Sequence, residues 1–225
     1  MAVILGIETS GDLCSVALFD TNSGLLASIE RNEKNIHASA LTSLIQQCVT
    51  ENDITLNQLD AIALSKGPGS YTGLRVGAST AKGLCYALQI PLIAVDTLKV
   101  MVRGFIEQNN KASVICPMID ARRMEVFTAV FSTEAEIITP VHAEILNEDS
   151  FIPWFDKPAA FIGNGALKMK TFSKNFINAS FYPEFTAKAS FLVTDALKKW
   201  EQKEFEDVAL FEPFYLKEFF TTSKI

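Results

Sequence analysis

The run VILGIETSGDLCSVALFD, Val3–Asp20, decides the fold. Val3–Thr9 is apolar and β-branched, so it reads as a strand. Gly11-Asp12 makes a turn, and Cys14–Asp20 returns as the hairpin partner. The design restarts at VICPMIDARRMEVFTAVF, Val114–Phe131, with Arg122-Arg123 at the turn and Met124–Phe131 returning. Laying Ile7-Glu8 on Ile119-Asp120, an offset of 112, puts Cys14 on Val126 and Val16 on Thr128. It also puts Leu18 on Val130 and Phe19 on Phe131. The offset is about half of the 225 residues, and each first strand ends in an acid. Two copies of one unit account for that pattern.

Working outward, Asn22-Ser23-Gly24 turns into a third strand, Leu25–Glu30. Leu41, Leu44, Ile45 and Cys48 recur at helical spacing and predict a helix over about residues 35–50. Leu59–Ser65 reads as a strand ending in Gly67-Pro68-Gly69, and Thr72–Leu88 as a second helix. Pro91–Val95 is a further strand, and Asp96 caps a helix running to about Gln108. In the second half, Ala159–Ile162 ends in Gly163-Asn164-Gly165, an echo of Ala61–Ser65 and its glycine turn. Phe185–Glu204 holds a C-terminal helix with a charged outer face. The reading is an α/β protein of two duplicated β-β-β-α-β-α lobes facing each other, 1–110 and 111–225.

Composition narrows the function. Hydrophobic residues make up 48% and charged residues 20%, which supports a large core and excludes disorder. A net charge of −6 argues against an autonomous DNA or tRNA binder, whose surface would be basic. No apolar run approaches the roughly 20 residues of a membrane helix. MAVILGIETS lacks the basic start and cleavage site of a signal peptide, so the expected compartment is the cytoplasm. Cys14, Cys48, Cys85 and Cys116 stand singly among apolar neighbours, as buried thiols do.

Charge is missing where a solvated surface would carry it. Residues 1–100 hold 15 charged side chains and residues 101–225 hold 31; from Asn35 to Thr50 there is none. Opposite the first helix's apolar stripe stand Ser39, Thr42, Ser43, Gln46 and Gln47, all polar and uncharged. On the second helix Gly73, Gly77, Ala81 and Cys85 form a small-residue edge; Arg75 and Lys82 are its only charges. Charge depletion marks the core of a protein interface. Packing of both helices by the second lobe is the alternative.

The remaining motifs are sparse. Gly67-Pro68-Gly69-Ser70-Tyr71-Thr72-Gly73 links a strand to a helix, a geometry that can hold an anion but lacks the P-loop spacing. A tight, closely packed turn is the other reading. Thr9-Ser10-Gly11-Asp12 could touch a phosphate, whereas its counterpart Ala121-Arg122-Arg123 has no glycine. His37 and His142 lie in no HxxxH or HxH pattern, so neither is expected to be a metal ligand or general base.

GPGSYTGLRVG (Gly67–Gly77), with IETSGDLCSVALFD (Ile7–Asp20), IPLIAVDTL (Ile90–Leu98), IDARRMEVF (Ile119–Phe127) and EPFYLK (Glu212–Lys217), resembles the bacterial TsaB (YeaZ) family. The resemblance implies the actin/sugar-kinase/Hsp70-like (ASKHA) fold. It also implies a role in forming threonylcarbamoyladenosine in tRNA, beside the anticodon. There the family partners TsaD, the related transferase subunit, and the ATPase TsaE. Where TsaD resembles IPxxxVHHxxGH, this chain has Thr97 and Met101 at the two metal-binding histidines. Neither replaces an imidazole.

The resulting expectation is a noncatalytic scaffold without cofactor or metal, touching tRNA only through the complex and no membrane. Its partner face would comprise Ser39, Thr42, Ser43 and Gln46 with Gly73, Arg75, Val76, Gly77, Ser79 and Ala81. Any weak phosphate contact would fall to Ser10, Gly11, Gly67, Gly69 and Ser70. A free-standing ATP-dependent kinase or ATPase of the same fold is the rival reading. A homodimer through the same face, in the absence of TsaD, stays open.

Overall fold

The computed structural model describes residues 1–32, 37–108, 112–154 and 156–217. β1 (Val3–Glu8) is buried along its length, as a continuous apolar run requires. It pairs antiparallel with β2 (Leu13–Asp20) and parallel with β4 (Ala61–Ser65). With β3 (Gly24–Asn32) and β5 (Leu92–Val95) they form a five-stranded sheet, ordered β3-β2-β1-β4-β5. β6 (Val114–Asp120), β7 (Glu125–Phe131), β8 (Ile137–Ile145), β9 (Ala159–Ile162) and β10 (Ala179–Tyr182) form the second, ordered β10-β9-β6-β7-β8. Strand order and directions repeat, so the duplicated α/β architecture expected of the ASKHA fold is present.

Three cores hold the layers together. α1 (His37–Glu51) and α2 (Tyr71–Leu88) cover the outer face of the first sheet, packing Leu41, Leu44, Ile45 and Cys48 on Leu5, Ile7, Val16 and Leu18. The start of the expected first helix, residues 35 and 36, lies outside the described residues. The outer face of the second sheet carries Cys116, Met118, Val126 and Phe161 beneath α4 (Ala166–Met169). The central core lies between the sheets and joins Ile4, Phe19 and Ile93 to Phe131 and Ile162.

α3 (Thr97–Gln108) and α5 (Val193–Gln202) complete the central layer, each crossing from its own strands toward the other sheet. α3 follows β5 yet packs on β6 and β7; the 189–192 turn and α5 follow β10 yet pack on the first sheet. Asp96 caps α3, its Oδ1 accepting from the Leu98 amide at 2.9 Å. Asp195 of α5 is buried and bridges to Arg103 (2.8 Å) and Lys99 (3.0 Å) of α3. Burial opposes its charge, but the two cations together hold its carboxyl below the ordinary value. The expected boundary at 110/111 lies outside the described residues.

The register of the duplication needs one correction. The 112-residue offset suits the returning strands: Cys14, Val16 and Leu18 face the outer core, as do Val126 and Val130. It fails for the first strands, because Ile7 faces the outer core and Ile119 packs on the central one. Glu8 pairs with Ser15 and Asp120 with Val126, so the second hairpin is one residue shorter between pairs. An odd slip reverses every side chain. Glu8 and Asp120 therefore do not correspond.

Candidate functional site: an interlobe cleft and a two-helix face

A cleft of about 700 Å³ opens between the lobes. Ser10, Gly11, Gly69 and Ser70 line it from the first lobe; Asp120, Arg122 and Asn164 line it from the second. Gly67 is not among the lining residues. It sits beneath, its amide donating to Thr97 Oγ1 and its carbonyl accepting from the Thr97 amide, both at 3.0 Å.

Two amides of the expected anion cradle are taken up by the chain itself. The Ser70 amide donates to the Ser10 carbonyl (2.7 Å), and the Gly73 amide to the capping Ser70 Oγ (3.3 Å). Only amides left unpaired by the fold can bind an anion at a helix start. The glycines serve packing instead. A Cβ on Gly73 would strike the Thr9 carbonyl, and one on Gly77 the Thr9 hydroxyl. α2 is thereby pressed against the end of β1, and Thr9 Oγ1 donates to the Gly73 carbonyl at 2.8 Å.

Glu8 lies at this junction, 1% exposed. Its Oε1 accepts from the Ser10 amide at 2.6 Å, and its Oε2 from the Ser65 hydroxyl. Burial raises its pKa, against these hydrogen bonds. The carboxyl is held inside the fold and does not line the cleft.

Thr97 and Met101 do line the cleft, so the positions compared with metal-binding histidines face it. The Thr97 hydroxyl is engaged by Gly67, and Met101 Cε packs where a Cβ on Gly163 would stand. Among the described residues no group of three or more His, Cys, Asp or Glu could hold a metal. His142 lies on β8, its Nε2 at 3.5 Å from Glu144. Arg122 and Arg123 adopt left-handed backbone, φ 70° and 45°, at the tip of the second hairpin.

The two-helix face divides the expected interface residues. Ser39, Thr42, Ser43 and Gln46 on α1 are exposed, as are Arg75 and Ser79 on α2; Val76 is half-buried. Gly73, Gly77 and Ala81 are buried within the chain, so the small-residue edge is not open to a partner helix. The physical reason is the close approach of Thr9. What remains outside is still nearly uncharged, and Lys82 is turned away, bonded to the carbonyls of Ala209 and Phe211. Tyr86, 77% exposed and seven residues beyond Ser79, belongs to this surface. Sequence reasoning passed over it, although heptad spacing from Ser79 places it there.

Residues 25–219 match the family model described as TsaD, tRNA N6-adenosine threonylcarbamoyltransferase. The chain belongs to this family. Within it, the chain falls with the TsaB/YeaZ proteins. The Haemophilus influenzae tRNA threonylcarbamoyladenosine biosynthesis protein TsaB is 35% identical over 55% of this chain and 51% of its own length. The chain thus matches about half the length of that curated relative. The Bacillus subtilis protein of the same name is 25% identical over 95% of this chain and 93% of its own. YeaZ from Pseudomonas aeruginosa superposes with TM-score 0.82 and 27% identity, covering 96% of this chain and all of that one. Among the described residues no helix is long and apolar enough to cross a membrane.

Proposed function

We propose that the chain is a noncatalytic subunit in tRNA threonylcarbamoyladenosine formation, pairing with TsaD through the exposed face of α1 and α2. The observation that carries this reading is that face: solvent-exposed on two adjacent helices, with no charge from Ser39 to Thr50 on α1 and, among the described residues of α2, Arg75 as the charge it projects. Interface cores are depleted of charge and enriched in aromatic residues such as Tyr86. TsaE joins the larger assembly, tRNA is met only there, and the same face is available to a homodimer when TsaD is absent. The role needs no cofactor and is cytoplasmic. The intrachain pairing of the Ser70 and Gly73 amides and the burial of Glu8 support a scaffold over a free-standing kinase, which needs amides and a carboxylate open to the cleft.

Thr42→Arg tests it. A solvent-exposed substitution shifts stability by no more than about 0.5 kcal/mol. An unpaired cation in an interface core costs several kcal/mol of association, enough to lower affinity by orders of magnitude. The expected variant melts like wild type and no longer assembles with TsaD in size-exclusion chromatography with light scattering. Ser79→Arg should behave alike. Wild-type assembly by both folded variants overturns the reading.

A further inference from the structure

After α5 the chain runs back along the first lobe. The Glu206 amide donates to the Leu92 carbonyl at 2.9 Å, and Phe211 enters the outer core. The next residues cross the cleft mouth. The Phe214 amide donates to the Lys66 carbonyl at 2.7 Å, and the Phe214 carbonyl lies 2.6 Å from where a Gly67 Cβ would stand. A side chain at Gly67 would therefore lift the segment off, beyond the strain its φ of 114° already imposes on any other residue. The Tyr215 ring meets Tyr71 at 5.1 Å, and the Arg75 guanidinium lies 4.1 Å over the Tyr71 ring. Two residues on, Lys217 reaches Glu125 of the second lobe at 2.5 and 2.6 Å. One short segment is thus fastened to both lobes, and its first-lobe fastening includes the projecting charge of the α2 face.

We propose that Phe214–Lys217 is a latch across the cleft whose hold is set by Arg75, so that a partner carboxylate taking Arg75 releases it. Loading the α2 face and opening the cleft are then one equilibrium. An acid is the matching partner chemistry because Arg75 rests on the face of Tyr71, and a carboxylate binds a guanidinium more strongly than a ring face does. What takes Arg75 rests on the partner reading; the latch does not, and it is tested on the isolated full chain.

Hydrogen exchange read by mass spectrometry on segments 67–73, 119–125 and 212–217 makes the test. Lys217→Glu places like charges at the second-lobe fastening, and Arg75→Met removes the first-lobe cation from an exposed position. Exposed pairs are worth little singly, so about two- to fivefold faster exchange is expected over 212–217 in each variant. The cleft segments should follow. The double variant should gain less than the product of the two, because either change frees the same segment. Circular dichroism and melting establish that each variant is folded; should Lys217→Glu misfold, Glu125→Gln opens the same fastening. Unchanged exchange over 212–217 in folded Arg75→Met overturns the control by Arg75. Faster exchange there with unchanged cleft segments overturns the latch. Either result leaves association with TsaD to be judged separately by Thr42→Arg.

Discussion

The two hairpins at the cleft share a plan and differ in how they are held. In the first, six residues separate the paired Glu8 and Ser15, and α2 presses on the turn through Gly73 and Gly77. In the second, five residues separate Asp120 and Val126, and the neighbouring helix α4 is only four residues long. The first hairpin's acid is buried and bonded by Ser10 and Ser65; the second's is exposed and paired with Lys168 at 2.7 Å. The backbone of the two turns differs as well. Gly11 is not among the left-handed residues, whereas Arg122 and Arg123 are. The comparison teaches that a duplicated fold can build one turn by close packing and the other by local backbone twist.

The largest effect should come from breaking the packed hairpin. Gly73→Val drives side-chain atoms into the Thr9 carbonyl, which is backbone and cannot swing aside. We expect a loss of about 3 kcal/mol, the upper part of the overpacking range. In a chain of this size the melting temperature should fall by about 10 °C. Calorimetry showing wild-type melting would mean that α2 shifts freely.

The buried acid should show itself through pH. Its folded pKa lies above the ordinary 4.5, so the folded state holds the proton longer than the unfolded one. Stability from this group is complete below 4.5 and is lost as pH rises through the raised folded value. Glu8→Gln keeps a partner for the Ser10 amide and for Ser65 while removing the titration. Urea midpoints measured from pH 4 upward should decline in wild type relative to Glu8→Gln. Parallel curves would place the carboxyl in water.

Two smaller changes sharpen the contrast at the second hairpin. Arg122→Gly removes a left-handed Cβ and should raise stability by up to about 1 kcal/mol, measured by denaturant titration. A loss would show that the Arg122 side chain holds the tip. Asp120→Asn weakens a partly exposed ion pair and should cost less than about 1 kcal/mol. A loss like that of Gly73→Val would make the second hairpin as tightly held as the first.

Much of the first lobe was legible in the sequence. Val3–Thr9, Leu59–Ser65 and the Leu41–Cys48 stripe carry period and composition strong enough to fix their elements, and Asp96 announced the cap it makes. The second lobe was harder. Ile137–Ile145 and Ala179–Tyr182 are strands at the edges of their sheet, partly exposed, without the continuous apolar run of a central strand.

The sequence by itself determined the duplication, the apolar inner strands and the absence of charge from Asn35 to Thr50, because periodicity and composition are local properties. Only the tertiary structure decided which small residues of α2 stay outside. Gly73 and Gly77 read alike as room for a partner helix or for the end of β1, and the choice depends on Thr9, 64 residues away from Gly73. It also decided the register of Glu8 against Asp120, since a one-residue slip leaves the apolar pattern recognisable while exchanging buried for exposed. Fastening of Phe214–Lys217 over the cleft is of the same kind: no local pattern tells Lys217 that Glu125 waits across the gap.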